Sequence, residues 1–481
     1  MTTGDPDPTL PYQALPLEPP PDAPPPRPHD PYSSLRNVNY RRYFIGNACS
    51  TFGVQMAGLA VAWELYATTS SKVALGMVGF VQIVPIVSFA LIGGHIVDRF
   101  NRRNLILVAT FLLMISYLLL GISSRYASAL PAGGLLGSLN SAIAAFASLL
   151  GDRSGHFNNP HVPILLFLLF FNGCVRAVNQ PAKYSIVPML VPPDQLANAV
   201  TWNSSLFETC NMVGPAIAGF VLAMLLGPVP SPWAYSCIYW FNSLCQLIQF
   251  INVARIHVDH PERSRAPMSI KSLLAGVHFV YHNKIILSTI TLDLFAVLLG
   301  GATALLPVFA KDILHVGPLG AGILRAAPSV GAIVMSVAVA HAPPMKNAGR
   351  NMLVSVAGFG AATIIFGLSK NFALSLVALI LTGAFDAISV VVRHSLVQIL
   401  TPDDMRGRVS AVNSVFISTS NELGEFESGL TAQWGQNLFG AIMGPMVAVA
   451  AGGVGTILVV GVVALLWPQV RHVKELAKPR T

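Results

Sequence analysis

The chain has 481 residues, of which 53% are hydrophobic and only 10% charged. A soluble globular protein carries about a quarter charged residues, so this balance excludes an ordinary soluble enzyme, a disordered protein and a nucleic-acid binder. The mean hydropathy of +0.61 points to a polytopic membrane protein lying in a lipid bilayer. Its net charge of +8 then bears on the orientation of loops rather than on nucleic acid.

Residues 1–31 hold twelve prolines and no apolar core, which predicts a disordered, partly polyproline II tail over 1–36. Twelve apolar stretches long enough to span follow. They lie near 43–69, 73–98, 104–123, 162–190, 197–226, 232–254, 285–310, 317–341, 351–369, 371–399, 405–433 and 438–467. A thirteenth candidate, 129–150, is uncharged but rich in Gly, Ser and Ala. Charge decides against it. With twelve spans, twenty basic residues fall on the side of the N-terminus and five on the other. A thirteenth span would reverse every basic loop after residue 150. Lys and Arg gather on the cytoplasmic side. The expected protein is therefore a plasma (inner) membrane protein with both termini cytoplasmic and an outer-surface insertion over 124–160.

The expected organisation is an N-terminal half over 37–255, a linker over 256–284, a C-terminal half over 285–470 and a tail over 471–481. Residues 268–283 read as an amphipathic helix in that linker. The five cysteines form no CxxC pair and read as small buried hydrophobes. No Walker A, GxSxG or HExxH motif is present, so neither an enzyme, a metal nor a cofactor is expected.

Two stretches match at an offset of 210 residues: 187–194, running on to Asn203-Ser204, and 397–404, running on to Asn413-Ser414. Each reads as a tight turn between long helices. Thr401-Pro402-Asp403-Asp404 has the form of a helix start, with Thr as cap and Pro in the first turn. The same device twice argues for two six-helix halves in parallel duplication.

Between the second and third stretches the chain reads Gly94-His-Ile-Val-Asp98-Arg99-Phe-Asn-Arg102-Arg103. Gly94 admits a close neighbouring helix, Asp98 ends a helix, and the arginines hold the loop inside. This resembles the signature loop of the major facilitator superfamily, G-x-x-x-D-R-x-x-R-R, and the likeness extends over about 36–470. Trp63-Glu64-Leu65-Tyr66, Gly93-Gly94, Gly214-Pro215 and Arg406-Gly407-Arg408-Val409 bring it nearest the branch of enterobactin exporters and macrolide efflux pumps. The resemblance implies an all-α membrane protein of twelve transmembrane helices, the major facilitator fold, acting on a small-molecule substrate. It also implies that the loop braces the two halves in the outward-open state, with Asp98 facing the Thr401–Arg408 turn. Two features depart from the pattern: the second-half counterpart of the loop, 343–350, is degenerate, and the 124–160 insertion is long.

Ionisable residues at membrane depth carry the functional signal, because a charge at the bilayer centre costs about 2.5–3.5 kcal/mol on insertion scales. The acids are Glu64, Glu208, Asp293, Asp386, Glu422, Glu425 and Glu427, and the bases Arg176, Arg325 and Arg393. Each alone admits a structural partner or a functional role. As a set they point to a polar central cavity. Glu422 and Glu425 share one helical face, and two carboxylates so close disfavour joint ionisation, which suits proton loading and release. Asp386 and Glu64 are further candidates for proton coupling. Asp386 and Arg393 share a face and are expected to pair together or with Arg176 and Glu208. Glu427 lies well round its helix. Trp63 is either a stacking surface for substrate or an interfacial anchor.

These readings converge on a monomeric secondary transporter that effluxes a small hydrophobic or siderophore-like molecule coupled to protons. Alternatives are a phospholipid or lysophospholipid transporter of the same fold, and a non-transporting membrane sensor.

Overall fold

The computed structural model describes residues 30–473 apart from 154, 228–230, 232, 258–269, 344 and 403–404. Within its helices the side chains at 90–95, 98, 270–274, 406, 407 and 411 are not described. The tail over 1–29 and the side chains of Gly94, His95 and Asp98 therefore lie outside the described residues.

Twelve long helices, numbered in chain order, form the body. They are α1 (Val38–Thr69), α2 (Lys72–Arg99), α3 (Arg102–Arg125), α4 (His161–Leu190), α5 (Leu196–Leu225), α6 (Ala234–Ala254), α7 (Lys284–Gly300), α8 (Gly317–His341), α9 (Ala348–Leu368), α10 (Phe372–Leu400), α11 (Arg406–Phe439) and α12 (Met443–Leu466). A helix over Gly134–Leu149 occupies the insertion, and one over Ile270–His282 the linker. Ten of the long helices are apolar enough to cross a bilayer, counting α7 with its continuation to Ile313. Of the two more polar ones, α6 keeps its polar residues inside the protein, whereas Ser410, Ser414 and Asn421 of α11 are exposed. In α6, Asn242, Gln246 and Gln249 are wholly buried, and Ser50 of α1 donates to Gln246 at 3.0 Å.

Local chemistry sets the helix starts. Asn37, Ser71, Asn101, Asn283 and Asn371 each accept from a backbone amide in the first turn of α1, α2, α3, α7 and α10. The expected cap at Thr401 is not made. The described α11 begins at Arg406 after Met405, and the buried Thr401 hydroxyl has no partner among the described residues. Thr401 instead ends α10 in extended backbone. The last residues of the Pro-rich stretch are ordered into a short helix, Ser33–Arg36. Asn198 and Trp202 on α5 both donate to the Pro31 carbonyl and hold it.

Packing repeats between the halves. In the first half α1 packs on α5 and α6, α3 on α4 and α6, and α2 on α4; α7 on α11 and α12, α9 on α10 and α12, and α8 on α10 reproduce the scheme. The halves meet through two equivalent pairs, α2 with α11 and α5 with α8. Glycines set both crossings. A side chain on Gly429 would begin 2.7 Å from the Cα of Gly76, and one on Gly219 would begin 2.9 Å from the Cα of Gly322. Without side chains the backbones approach closely, as small residues permit in membrane helix pairs.

Both crossings lie towards the end that carries the insertion, and that end is closed. Trp434 donates to the Leu150 carbonyl at 3.0 Å, and Asn437 to the Gly151 carbonyl at 2.8 Å. Lys72 donates to Gln436, and Tyr66 to Asp312. Phe80 stacks between Phe146 of the insertion and Phe426 of α11. Among the described residues no hydrogen bond joins the halves at the end that carries the chain termini. The described hydrogen bonds between the halves therefore seal the insertion end. Trp63, on α1, is only 7% exposed and packs in the core, so it offers no stacking face to a substrate.

Gly429→Leu should prevent this seal. In a cysteine-free background, Lys72→Cys paired with Gln436→Cys should cross-link readily, and adding Gly429→Leu should slow that cross-linking at least tenfold. An unchanged rate would show that the glycine crossing does not set the closure.

Candidate functional site

Halfway along the seam, side chains from both halves converge. Arg176 on α4 donates to Gln82 on α2 at 2.7 Å and lies 3.6 Å from Glu422 on α11. Glu425, one turn further, lies within the fields of Arg176 and of Arg325 on α8. Arg325 also acts on Glu422. Gly79 on α2 makes this approach possible, since a Cβ there would lie 2.8 Å from the Cβ of Glu425. Two carboxylates thus lie in the fields of two guanidiniums, one from each half. The Arg176 side chain is 36% exposed, so water screens its pairing and the pair is weak as a stabiliser. Such a pair is easily exchanged for another partner.

A second group spans the other crossing. Ser329 on α8 is in hydrogen-bond reach of Glu208 on α5, and Asp386 on α10 is close enough for its charge to act on Glu208. Here two acids from opposite halves approach each other.

The expected pairings of Arg393 are not those formed. Arg393 on α10 makes a buried ion pair with Asp293 on α7, inside the second half, and does not pair with Asp386, Glu208 or Arg176 among the described residues. Spacing along one helix places Asp386 and Arg393 on one face, but only the packing of α7 against α10 brings Asp293 within reach. Glu427 likewise turns from the seam into the second half, where it lines a small cavity with Thr363, Ser428 and Thr431.

Glu64, 3% exposed on α1, is fully partnered within the first half. Ser124 donates to one carboxylate oxygen and Tyr239 to the other at 2.6 Å, and His161 Nε2 stands 3.4 Å away. Sequence reasoning missed His161, a lone imidazole at the start of an apolar helix. Its position opposite Glu64 comes from α4 packing near α1, which no local pattern reports.

Two arginines of the loop after α2 reach helix ends of the first half. Arg103 donates to the Val253 and Ala254 carbonyls at 3.2 and 2.6 Å, capping the end of α6. Arg102 reaches the sulfur of Met189 at the end of α4, and Arg99 is exposed. Both partnered arginines thus bind helix ends of their own half. The placement of Asp98 against the Thr401–Arg408 turn lies outside the described side chains. A side chain on Gly276 of the linker helix would begin 3.1 Å from the Arg408 carbonyl oxygen, so these two helices pack closely.

Comparison with known proteins places this geometry. A family model described as transmembrane secretion effector matches residues 29–145 and 138–466. The enterobactin exporter EntS of Escherichia coli (strain K12) is 24% identical over 437 residues, covering 91% of this chain and 93% of that protein. A D-xylose-proton symporter structure superposes with a TM-score of 0.64 at 14% identity, covering 89% of this chain and 97% of that one. A bacterial homolog to the human lysosomal transporter Spinster, in inward-facing and unoccupied conformation, gives 0.62 at 14% identity, over 92% and 98%. These structural likenesses establish the major facilitator fold.

The Asp293–Arg393 pair should be structural. Removing one partner of a buried pair costs about 3–5 kcal/mol, because the other charge is left uncompensated. Asp293→Asn or Arg393→Met alone should therefore lower the unfolding temperature of the purified protein sharply, and the double substitution should recover much of the loss. Additive losses would show that the two side chains act independently.

Proposed function

The chain belongs to the transmembrane secretion effector family of major facilitator transporters, and from that premise we propose that it exports a small hydrophobic or siderophore-like molecule by alternating access, driven by protons. The observation that carries this reading is the seam group, in which Glu422 and Glu425 meet Arg176 and Arg325 across the two halves at mid-depth. The EntS relative, an enterobactin exporter, supports the substrate class.

Physical chemistry links protonation to conformation at such a seam. While the insertion end is sealed, Arg176 stands 3.6 Å from Glu422 and offsets part of the cost of a charge there. Parting that end withdraws α4 from α11 and takes the guanidinium away. A carboxylate left in low dielectric without its partner binds a proton instead. Closing the seam returns the arginine and expels the proton. Protons bound on one side and released on the other would power a cycle that needs no nucleotide hydrolysis. Asp386, facing Glu208, and Glu64 are the next carriers in order. In the opposite state the signature loop braces the termini end, with Asp98 meeting the start of α11. The protein works as a monomer in the plasma (inner) membrane, with both termini in the cytoplasm.

The assignment is tested in proteoliposomes with a catecholate siderophore as probe. Glu422→Gln with Glu425→Gln should reduce uphill transport driven by an imposed pH gradient to background, while substrate counterflow at equal pH continues. Gradient-driven transport that survived both substitutions would sink the assignment and move suspicion to Asp386 or Glu64.

Orientation is tested on the insertion. Asn140 is buried, whereas Leu135 is 76% exposed. A cysteine at Leu135 in a cysteine-free protein should react with a membrane-impermeant maleimide on intact spheroplasts. Reaction confined to inside-out vesicles would reverse the topology.

A further inference from the structure

The insertion helix, Gly134–Leu149, has three distinct faces. One packs on the protein. Asn140 is buried and donates to the Asn159 carbonyl at 3.1 Å, Ala147 is wholly buried, and Ile143 and Ala144 lie against the core. A second face carries Ser138, Ser141, Ala145 and Ser148, all exposed. The third carries Leu139, Ala142, Phe146 and Leu149, spaced three and four residues apart. This face is apolar and also exposed, Leu149 at 82%. Leu135 opens the stripe beside the exposed residues 131–134, at its aqueous edge.

Two observations bear on what covers the apolar face. The first is direction. The Phe146 ring lies 6.1 Å from that of Phe80. Phe80 stands eight residues along α2 from Lys72 at the sealed end, about 12 Å at the rise of a helix. It shares an exposed apolar row with Val84 and Val87 on a span long and apolar enough to cross a bilayer. The stripe therefore points towards the bilayer interior and continues the lipid-facing surface of α2. The second is charge. No charged residue occurs over 126–151, between Arg125 and Asp152. Placing this segment among headgroups and acyl chains thus desolvates no charge. Exposed aromatic rings mark the same end: Tyr126, Trp233 and Trp434. The Arg125 guanidinium lies over Tyr126 and Trp233, at 5.2 and 4.5 Å from the ring centroids. Tyr and Trp gather where headgroups meet acyl chains.

We propose that the insertion helix is an interfacial lipid-binding element. It lies along the leaflet at the sealed end, with Leu139, Ala142, Phe146 and Leu149 among acyl chains and the serine face towards water. Amphipathic helices bind membranes in this way, burying their apolar face about 5–10 Å into the boundary between headgroups and acyl chains. A partner arriving from the aqueous phase would meet the serine face and not the stripe. The helix runs directly into Leu150 and Gly151, whose carbonyls accept from Trp434 and Asn437. Its hold on lipid thereby fixes the two acceptors that close this end. The inference is independent of which side of the membrane that end faces, of proton transfer at the seam and of the substrate.

Spin labelling of the full-length, cysteine-free protein in phosphatidylcholine liposomes tests it. Single nitroxides are attached at Leu139→Cys, Ala142→Cys and Leu149→Cys on the apolar face, and at Ser138→Cys, Ser141→Cys and Ala145→Cys on the polar face. All six positions are exposed, and Phe146 is left intact because it contacts α2. Collision rates are measured with oxygen, which concentrates among acyl chains, and with a polar nickel chelate present on both sides of the membrane. The ratio of oxygen to nickel collisions should be at least fivefold higher at 139, 142 and 149 than at 138, 141 and 145. A smaller difference would overturn the proposal. So would protection of 139, 142 and 149 from both reagents, which is the mark of a protein partner or a second copy on this face.

Discussion

Two helix crossings, α2 on α11 and α5 on α8, hold the halves together, and each depends on glycine facing glycine. In a bilayer the hydrophobic effect does not drive helices together, because lipid is as apolar as leucine. Attraction must come from close backbone packing and from polar groups that the approach brings into contact. Gly76 against Gly429 brings Lys72 to Gln436 and Phe80 to Phe426. Gly79 on the same face lets Glu422 and Glu425 approach the first half at all. Remove the glycines and both the seal and the charged seam lose their geometry.

The same constraint explains where each intramembrane charge goes. Glu64 takes three partners within the first half, and Asp293 takes Arg393 within the second. Each of these groups finds its partners inside one half. Glu422 is different, because its partner Arg176 belongs to the other half. A screened, partly exposed pair between moving bodies suits a coupling site, whereas a dry pair within one body suits a structural role. The insertion adds to the difference between the ends. Its Leu150 and Gly151 carbonyls accept from α11, so a segment outside the core repeat helps to close one end only.

Much of this was legible in the sequence, for physical reasons. Membrane thickness dictates helix length, so apolar runs report spans directly, and the twelve predicted stretches each match one of the twelve long helices, although α7 stops at Gly300 and α11 runs on to Phe439. The repeat at an offset of 210 residues marks equivalent turns, and the two halves do pack by one scheme. The insertion was legible as a weak hydrophobe disfavoured as a span by the charge of later loops. Local chemistry was less secure where tertiary contacts compete. Thr401 has the form of a cap and finds no partner, and Pro31 is held by Asn198 and Trp202.

Sequence by itself determined the membrane setting, the helical count, the duplication and the roster of costly charges, because each follows from composition or from spacing along one chain. Tertiary structure alone decided which charges meet. Arg393 reaches Asp293 rather than Asp386, His161 stands beside Glu64, and Glu427 turns away from Glu422 and Glu425 towards a small cavity in the second half. Helical spacing reports which face a residue occupies, but a partner on another helix depends on crossing angle and depth. Those are set by small residues at the crossings and by packing summed over the whole bundle, which no local pattern encodes.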